Sequence, residues 1–229
     1  MLTIGHTPDV DDAFMLYGLL TGRVDLEGLE FTEVVAPISA LNEQAREGSL
    51  DVTAASVGFV PELADTYDIL TSGACMAEDR GPLLVQRAGE EVNSIAVPGL
   101  TTTAYLVLRC LIGDFEPVVM PFDSILQAVS LGEVDGGVLI SEDQQLWKGR
   151  GLDATDLGQA WKERTGYPLP LGVDLVGRDL DEEITRRVAR VFKRSVECAL
   201  GNVAEALRYD VRYARKANRE SREHLALTV

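Results

Sequence analysis

Short apolar stretches alternate along the chain with segments whose apolar residues recur at helical spacing, and the alternation runs through two blocks. The first block predicts strands over 1–6, 29–36 and 50–56, and helices from residue 11 onward, over 39–47 and over 60–67. The second block predicts strand, helix, strand, helix and strand over 94–98, 101–112, 117–121, 123–131 and 135–140. Each block therefore predicts a βαβαβ unit.

The two units share a residue pattern around their third strands. In each unit the end of the second helix is marked by a glycine, which is followed by one variable residue, an aliphatic residue and an aspartate. The third strand of each unit then ends in a serine. These residues are Gly48, Leu50, Asp51 and Ser56 in the first unit, and Gly132, Val134, Asp135 and Ser141 in the second. Glycine often ends helices in α/β proteins, so the shared order carries more weight than any one residue.

This repetition predicts an α/β fold of two lobes, each a βαβαβ sheet flanked by helices, facing one another across a cleft. We expect lobe one to comprise residues 1–87 and 172–229, and lobe two residues 88–171. Strands over 82–86 and 171–176 would cross between the lobes. Amphipathic helices over 180–200 and 203–215 would then cover the first lobe.

Composition narrows the range of partners. The 229 residues carry a net charge of −16. This charge disfavours nucleic acid and anionic membranes as partners, because proteins bind both of them through clustered Lys and Arg side chains. Cys75, Cys110 and Cys198 lack CxxC spacing, which fits free thiols in a reducing compartment. No leader-like stretch and no apolar run of spanning length occurs, so we expect a cytoplasmic protein that binds a small-molecule substrate. The oligomeric state stays open.

The first candidate site lies where the first strand runs into a helix, in the string IGHTPDVDDAF. Ligands of open α/β sheets bind beyond the carboxyl ends of strands, against the free N–H groups of the next helix. His6, Thr7 and Asp12 are therefore candidate ligand contacts, together with Asp9 and Asp11. An alternative is that Thr7, Asp9 or Asp11 only caps the helix.

The second lobe offers two further groups of candidates. The string PGLTTTA places three hydroxyls, Thr101, Thr102 and Thr103, at a helix start, where one suffices as a cap. Ser141 and Glu142 follow the strand GGVLI, where Ser141 could bind a substrate or cap a helix. No phosphate-binding glycine loop, no G-x-S-x-G elbow and no histidine spacing typical of zinc occurs, so we expect neither a nucleotide triphosphate nor a metal.

These strings resemble the 1,4-dihydroxy-6-naphthoate synthase family over nearly the whole chain. The resemblance is carried by IGHTPDVDDAF, PGLTTTA, FDSILQAVSLGEVDGGVLISE and, most specifically, DLGQAWKERTGYPLPLG. It implies a periplasmic-binding-protein-like fold and a lyase of menaquinone biosynthesis by the futalosine route. That lyase splits cyclic dehypoxanthine futalosine without a cofactor into dihydroxynaphthoate and a three-carbon product. It further implies that Asp12, Ser56, Thr102 and Thr103 bind the substrate.

The chain departs from the family pattern at the residue that the family uses as general base. The family has histidine between isoleucine and glutamate, whereas this chain has Ser141 between Ile140 and Glu142. Serine is no base near neutral pH, so we hypothesise that His6 replaces the family's histidine, with Asp9 or Asp12 orienting its ring. Glu142 is a weaker candidate for the base.

Two other functions stay open at this point. One is a non-catalytic, cytoplasmic binding protein for an aromatic or hydroxylated acid, which the loss of the family's base favours. The other is an enzyme like chorismate dehydratase, which shares the fold but has a serine-tyrosine-leucine-asparagine motif absent here.

Overall fold

A computed structural model describes residues 1–78, 80–89, 92–140 and 144–209. Its strands are β1 (Leu2–His6), β2 (Phe31–Val35), β3 (Val52–Ser56), β4 (Tyr67–Ala77), β5 (Leu83–Arg87), β6 (Ser94–Val97), β7 (Glu116–Val119), β8 (Gly136–Leu139), β9 (Leu152–Asp156) and β10 (Leu169–Gly177). Its helices are α1 (Val10–Met15), α2 (Tyr17–Leu20), α3 (Ile38–Arg46), α4 (Val60–Leu63), α5 (Thr103–Ile112), α6 (Phe122–Leu131), α7 (Leu157–Thr165) and α8 (Glu182–Gly201). Within the described residues, no helix is long and apolar enough to cross a membrane.

The strands form two five-stranded sheets of equivalent topology. The first has the order β2-β1-β3-β10-β4 and the second the order β7-β6-β8-β5-β9. In each sheet the opening strand of the βαβαβ unit lies between its two parallel partners, β1 between β2 and β3, and β6 between β7 and β8. A strand from elsewhere in the chain then pairs antiparallel with the third strand. The two predicted βαβαβ units are therefore confirmed.

The chain divides into two compact units, one comprising 1–75 and 172–229 and the other 76–171. Strands β4 and β10 both contain a boundary between the units. The sequence placed the first boundary after Arg87 and made 82–86 a crossing strand. In the structure that segment forms β5, whose pairing with β8 and β9 holds it in the second sheet.

Strand β4 begins where the sequence predicts a helix over 60–67, of which only the short α4 forms. Its buried residues do not alternate with exposed ones, so the period that signals a half-buried strand is missing from its sequence. Gly73 adds a backbone angle φ of +87°, a conformation that side-chain-bearing residues rarely adopt. Strand β9 and helix α7 were also not predicted, whereas the predicted helix over 180–200 matches α8 closely.

Helix α8 covers the first sheet with one apolar face. Val188, Val191 and Phe192 pack with Ile4 of β1 and Val52 of β3 in a buried cluster. The spacing of three and four residues on α8 is that of one helical face, which explains why the sequence predicts this helix well. Residues 203–209 are also helical, and the remainder of the predicted helix over 203–215 lies outside the described residues.

Asp51 and Asp135, the aspartates of the shared sequence pattern, make equivalent hydrogen bonds in the two units. In the first, the Oδ2 atom of Asp51 accepts hydrogen bonds from the backbone N–H of Thr3 at 2.6 Å and from its hydroxyl at 2.8 Å. In the second, Oδ2 of Asp135 accepts the backbone N–H of Ser94 at 2.9 Å and its hydroxyl at 3.0 Å. Each aspartate thus ties the start of the third strand to the start of the first, which explains the shared sequence pattern.

Replacing Asp51 with alanine should destabilise the protein by about 1–3 kcal/mol, because it leaves the amide and hydroxyl of Thr3 without their acceptor. Urea denaturation followed by circular dichroism measures the loss. Asp153→Ala on β9 is the matched control, since Asp153 is exposed and its substitution should change the midpoint little. Equal midpoints for the two variants would contradict the proposed tie.

Candidate functional site

The turn between β1 and α1 is closed by Asp12. Its Oδ2 atom accepts the backbone N–H of Thr7 at 2.6 Å and the Thr7 hydroxyl at 2.8 Å, and that hydroxyl accepts the backbone N–H of Asp9 at 3.2 Å. Asp12 lies in the first turn of α1 and bonds back to the chain before the helix, as the acid of a capping box does. Its partner is Thr7, two residues before Asp9, whereas a capping box would use Asp9, the residue directly before the helix. Thr7 and Asp12, both predicted site residues, therefore lie in direct contact.

His6 ends β1 and is 1% exposed. Its Nδ1 atom lies 2.9 Å from the carbonyl oxygen of Thr7, and its Nε2 atom lies 3.5 Å from a carboxylate oxygen of Glu33 on β2. A carbonyl oxygen only accepts hydrogen bonds, so the hydrogen belongs on Nδ1. Nε2 is then the nitrogen that can take up a proton, beside a carboxylate that would balance the resulting charge.

Ser56 ends β3 and is held by Asn42 of α3, a residue that the sequence analysis missed. The amide nitrogen of Asn42 donates to the hydroxyl oxygen of Ser56 at 3.0 Å, and the amide oxygen of Asn42 accepts the backbone N–H of Ser56 at 3.0 Å. Both residues are buried. Because Asn42 donates to Oγ, the Ser56 hydroxyl keeps its own hydrogen for another acceptor. In the sequence, Asn42 could have been recognised as a polar residue on the buried face of the amphipathic helix α3.

Asp174 on β10 is a second residue that the sequence analysis missed. It is 5% exposed and lies opposite Ala54 of β3, two residues from the pair formed by Gly172 and Ser56. The sequence predicts a crossing strand over 171–176, and in the structure β10 lies inside the sheet between β3 and β4.

Burial, and after it neighbouring carboxylates, raise the pKa values of two carboxyl groups and one thiol in this unit. Burial, then the neighbouring Asp11 carboxylate, raises the pKa of Asp12 to about 8, against the opposing effect of the Thr7 hydrogen bonds. Burial and the Asp12 and Asp11 carboxylates also raise the pKa of Asp174 well above its usual range. Burial, together with Asp11, raises the pKa of the Cys75 thiol, so this cysteine is unreactive at neutral pH.

The hydroxyl groups of Thr102 and Thr103, in the second unit, have different hydrogen-bond partners. The Thr102 hydroxyl donates to the carbonyl oxygen of Gly99 at 2.8 Å and accepts the backbone N–H of Tyr105 at 3.2 Å, so it caps α5. The Thr103 hydroxyl donates to the carbonyl oxygen of Leu171 at 2.7 Å. Both side chains are buried at the start of the helix.

Ser141 and Glu142 lie outside the described residues. In the part of the chain that the structure describes, His, Cys, Asp and Glu side chains form no group of three that could hold a metal ion. The structure thus joins Thr7 with Asp12 and His6 with Thr7 in the first unit and places Thr102 and Thr103 in the second. That both sets bind one ligand stays a prediction.

Solved structures define the class of fold. The aliphatic sulphonate binding protein SsuA from Escherichia coli matches with a TM-score of 0.62 at 15% identity, covering 94% of this chain and 77% of that one. The Candida albicans CA3427 product, described as having the generic periplasmic binding protein fold, matches with a TM-score of 0.69 at 12% identity, covering 94% and 76% of the two chains. This chain therefore has a two-lobe, periplasmic-binding-protein-like α/β fold.

Sequence comparison then gives the family. The profile of the family described as "Menaquinone biosynthesis" matches residues 2–228. A 1,4-dihydroxy-6-naphtoate synthase from Thermus thermophilus is 38% identical over 223 residues, 96% of this chain and 82% of that protein. Its namesake from Streptomyces coelicolor is 32% identical over 226 residues, 94% and 79% of the two chains. The crystal structure of AF1704 from Archaeoglobus fulgidus matches at 40% identity with a TM-score of 0.88, covering 99% and 86%. This chain belongs to the menaquinone biosynthesis family.

Replacing Asn42 with alanine should cost about 1–3 kcal/mol of stability, because the backbone N–H of Ser56 is left buried without its acceptor. Ser56→Ala is the matched variant: it keeps that N–H bond and loses only the hydroxyl contact, so it should cost less. Urea denaturation of both single variants and the double variant gives the coupling energy. Additive losses would contradict the contact.

The raised pKa of Asp12 predicts how stability depends on pH. Between pH 3.8 and about 8 the folded protein keeps a proton on Asp12 that the unfolded chain releases, so the free energy of unfolding should fall as pH rises through this window. Asp12→Asn should flatten that fall. Urea denaturation of both proteins from pH 5 to pH 8 measures it. Parallel curves for the two proteins would show that Asp12 titrates normally in the folded state.

Proposed function

We propose that this protein is a 1,4-dihydroxy-6-naphthoate synthase-like lyase that acts on cyclic dehypoxanthine futalosine in menaquinone biosynthesis. Membership of the family supports this, as do the names of the two relatives, which this chain matches over most of their length. The observation that carries the proposal is the group of buried polar side chains, His6, Thr7, Asp12 and Ser56, at the carboxyl ends of β1 and β3. Adjacent parallel strands put these ends at one sheet edge, where ligands of α/β proteins bind.

His6 is the proposed general base, in place of the family's histidine, whose position Ser141 occupies. A lyase step that releases a fragment from a hydroxylated substrate begins with removal of a proton by a positioned base. With its hydrogen on Nδ1 bonded to Thr7, the imidazole carries its lone pair on Nε2, the nitrogen that would accept that proton. Glu33, 3.5 Å from Nε2, would stabilise the imidazolium that forms.

Substrate oxygens would be bound at the end of β3 in the first unit and at the start of α5 in the second. The Ser56 hydroxyl, accepting from Asn42, can donate its hydrogen to a substrate oxygen. The Thr102 hydroxyl both donates and accepts within its helix start, so it would contribute by fixing the start of α5, where an anionic group would bind. Thr103, whose hydroxyl donates to the carbonyl oxygen of Leu171, lies at the same helix start and is a further proposed substrate contact. We assign Glu142 to substrate binding on the family resemblance alone.

Replacing His6 with asparagine should lower kcat about 10²–10⁴-fold with little change in KM, because the base is lost while Thr7, Asp12 and Ser56 remain. The assay incubates purified protein with cyclic dehypoxanthine futalosine and follows the absorbance of the naphthoate product. Glu33→Gln is the matched variant: it keeps the base and weakens the balancing charge, so the loss should be smaller.

Unchanged kcat in His6→Asn would reject His6 as the base while leaving the lyase function standing. Tight binding by the wild-type protein without any product would reject the lyase function itself. It would favour the non-catalytic binding protein, the alternative raised by Ser141 at the family's histidine position.

A further inference from the structure

The helix that the sequence predicts from residue 11 onward is broken in the structure. Helix α1 ends at Met15 and α2 begins at Tyr17, with Leu16 between them. Leu16 has φ −87° and ψ −2°, whereas a residue inside a regular α-helix has a ψ of about −42°. Neither α1 nor α2 contains proline, a frequent cause of such a break. The break coincides instead with a contact from helix α8.

A buried hydroxyl group of α8 is inserted into the backbone of this segment. The Oγ atom of Ser195 accepts the backbone N–H of Leu19 at 3.0 Å and donates to the carbonyl oxygen of Met15 at 2.7 Å. In a continuous helix these two backbone groups, four residues apart, would bond directly to each other. Ser195 is 0% exposed, so water does not compete for either group. A side chain inserted between two such groups is a sufficient cause of a helix kink.

The close approach of α8 to this segment depends on Gly18. A Cβ atom on Gly18 would lie 2.9 Å from Cα of Ser195 and 3.0 Å from Cβ of Cys198, so any side chain there would push the two elements apart. On the same side, Tyr17 packs with Ala199 of α8 in a buried cluster. The Ser195 hydroxyl is therefore held in place by packing as well as by its own hydrogen bonds.

The break lies about one helical turn from the acid that closes the candidate site. Asp12 and Met15 belong to the same helix, and the backbone N–H of Leu16 donates to the carbonyl oxygen of Asp12 at 2.9 Å. The carboxyl group of Asp12 in turn accepts the amide and the hydroxyl of Thr7. Because α1 is short, a change of direction at its end moves its start. The direction of α1 at the break therefore decides where the Asp12 carboxyl group lies.

We propose that Ser195 is a positioning residue of the candidate site, which directs α1 so that Asp12 meets Thr7 after β1. Ser195 bonds to Met15 and Leu19, so it acts on Asp12 through the backbone of α1. Without this hydroxyl the two backbone groups can bond to each other, which straightens the segment and moves Asp12 away from Thr7. That the positioned groups bind the substrate rests on the proposed function; the positioning itself does not.

The direct test is amide hydrogen exchange by NMR in the ligand-free protein, measured relative to the slowest amides of the first sheet, which report global unfolding. In the wild type the Leu19 amide should exchange slowly, since it donates to a buried hydroxyl. In Ser195→Ala the Thr7 amide should shift its resonance and exchange about tenfold faster, because Asp12 no longer accepts it. Ala199→Gly is the matched control: it weakens the packing of α8 but keeps the hydroxyl, so Thr7 should behave as in the wild type.

An unchanged Thr7 amide in Ser195→Ala, or an equal change in Ala199→Gly, would overturn the proposal. Fast exchange of Leu19 in the wild type would overturn it as well. If Ser195→Ala does not fold, Gly18→Ala decides: its methyl group would push α8 away from α2 and withdraw the hydroxyl, so Thr7 should again exchange faster. A Thr7 amide that stays as in the wild type would then contradict the positioning.

Kinetics with cyclic dehypoxanthine futalosine separate this proposal from the proposed function. In Ser195→Ala, KM should rise about 3–10-fold, the factor for loss of one hydrogen bond to the substrate. The kcat should fall by a smaller factor, because the backbone of His6 stays in β1. Ala199→Gly should keep both constants. Turnover with an unchanged KM in Ser195→Ala would overturn the positioning. The expected change at Thr7, without any turnover by the wild type, would support the positioning and reject the proposed function.

Discussion

The contact on which the candidate site depends is the double hydrogen bond from Thr7 to the Asp12 carboxyl group. It fixes the direction in which the chain leaves β1, and the Thr7 carbonyl that it positions also orients the ring of His6. The same hydrogen bonds hold the carboxyl group of Asp12 in a buried position, where water no longer stabilises its charge. The geometry of the turn and the buried position of its acid therefore depend on one local interaction.

The two units show which features belong to the architecture and which belong to the site. The tie between the third and first strands is present in both, through Asp51 and through Asp135. The buried serine held by Asn42, the histidine at the end of β1 and the turn closed by Asp12 occur in the first unit. A duplicated scaffold thus carries chemistry that is not duplicated, which is what a site on a common fold requires.

The sequence predicted the βαβαβ units and α8 well, because α8 buries residues at helical spacing and the inner strands of the units are short apolar runs that are buried almost throughout. It did not predict β4, whose buried residues recur every three or four positions, a spacing typical of a helix rather than of a half-buried strand. Thr7, Asp12 and Ser56 could be found because strand ends are visible in sequence. Asn42 and Asp174 could not, because their surroundings depend on which strands and helices become neighbours, above all on the insertion of β10 between β3 and β4.

A crystal structure with cyclic dehypoxanthine futalosine or its naphthoate product bound tests the central claim most directly. The account predicts a ligand oxygen within hydrogen-bonding distance of Oδ1 of Asp12 and another near the hydroxyl of Ser56, with the bond from Thr7 to Asp12 retained. A ligand bound elsewhere, with the start of α1 and the end of β3 untouched, would contradict it.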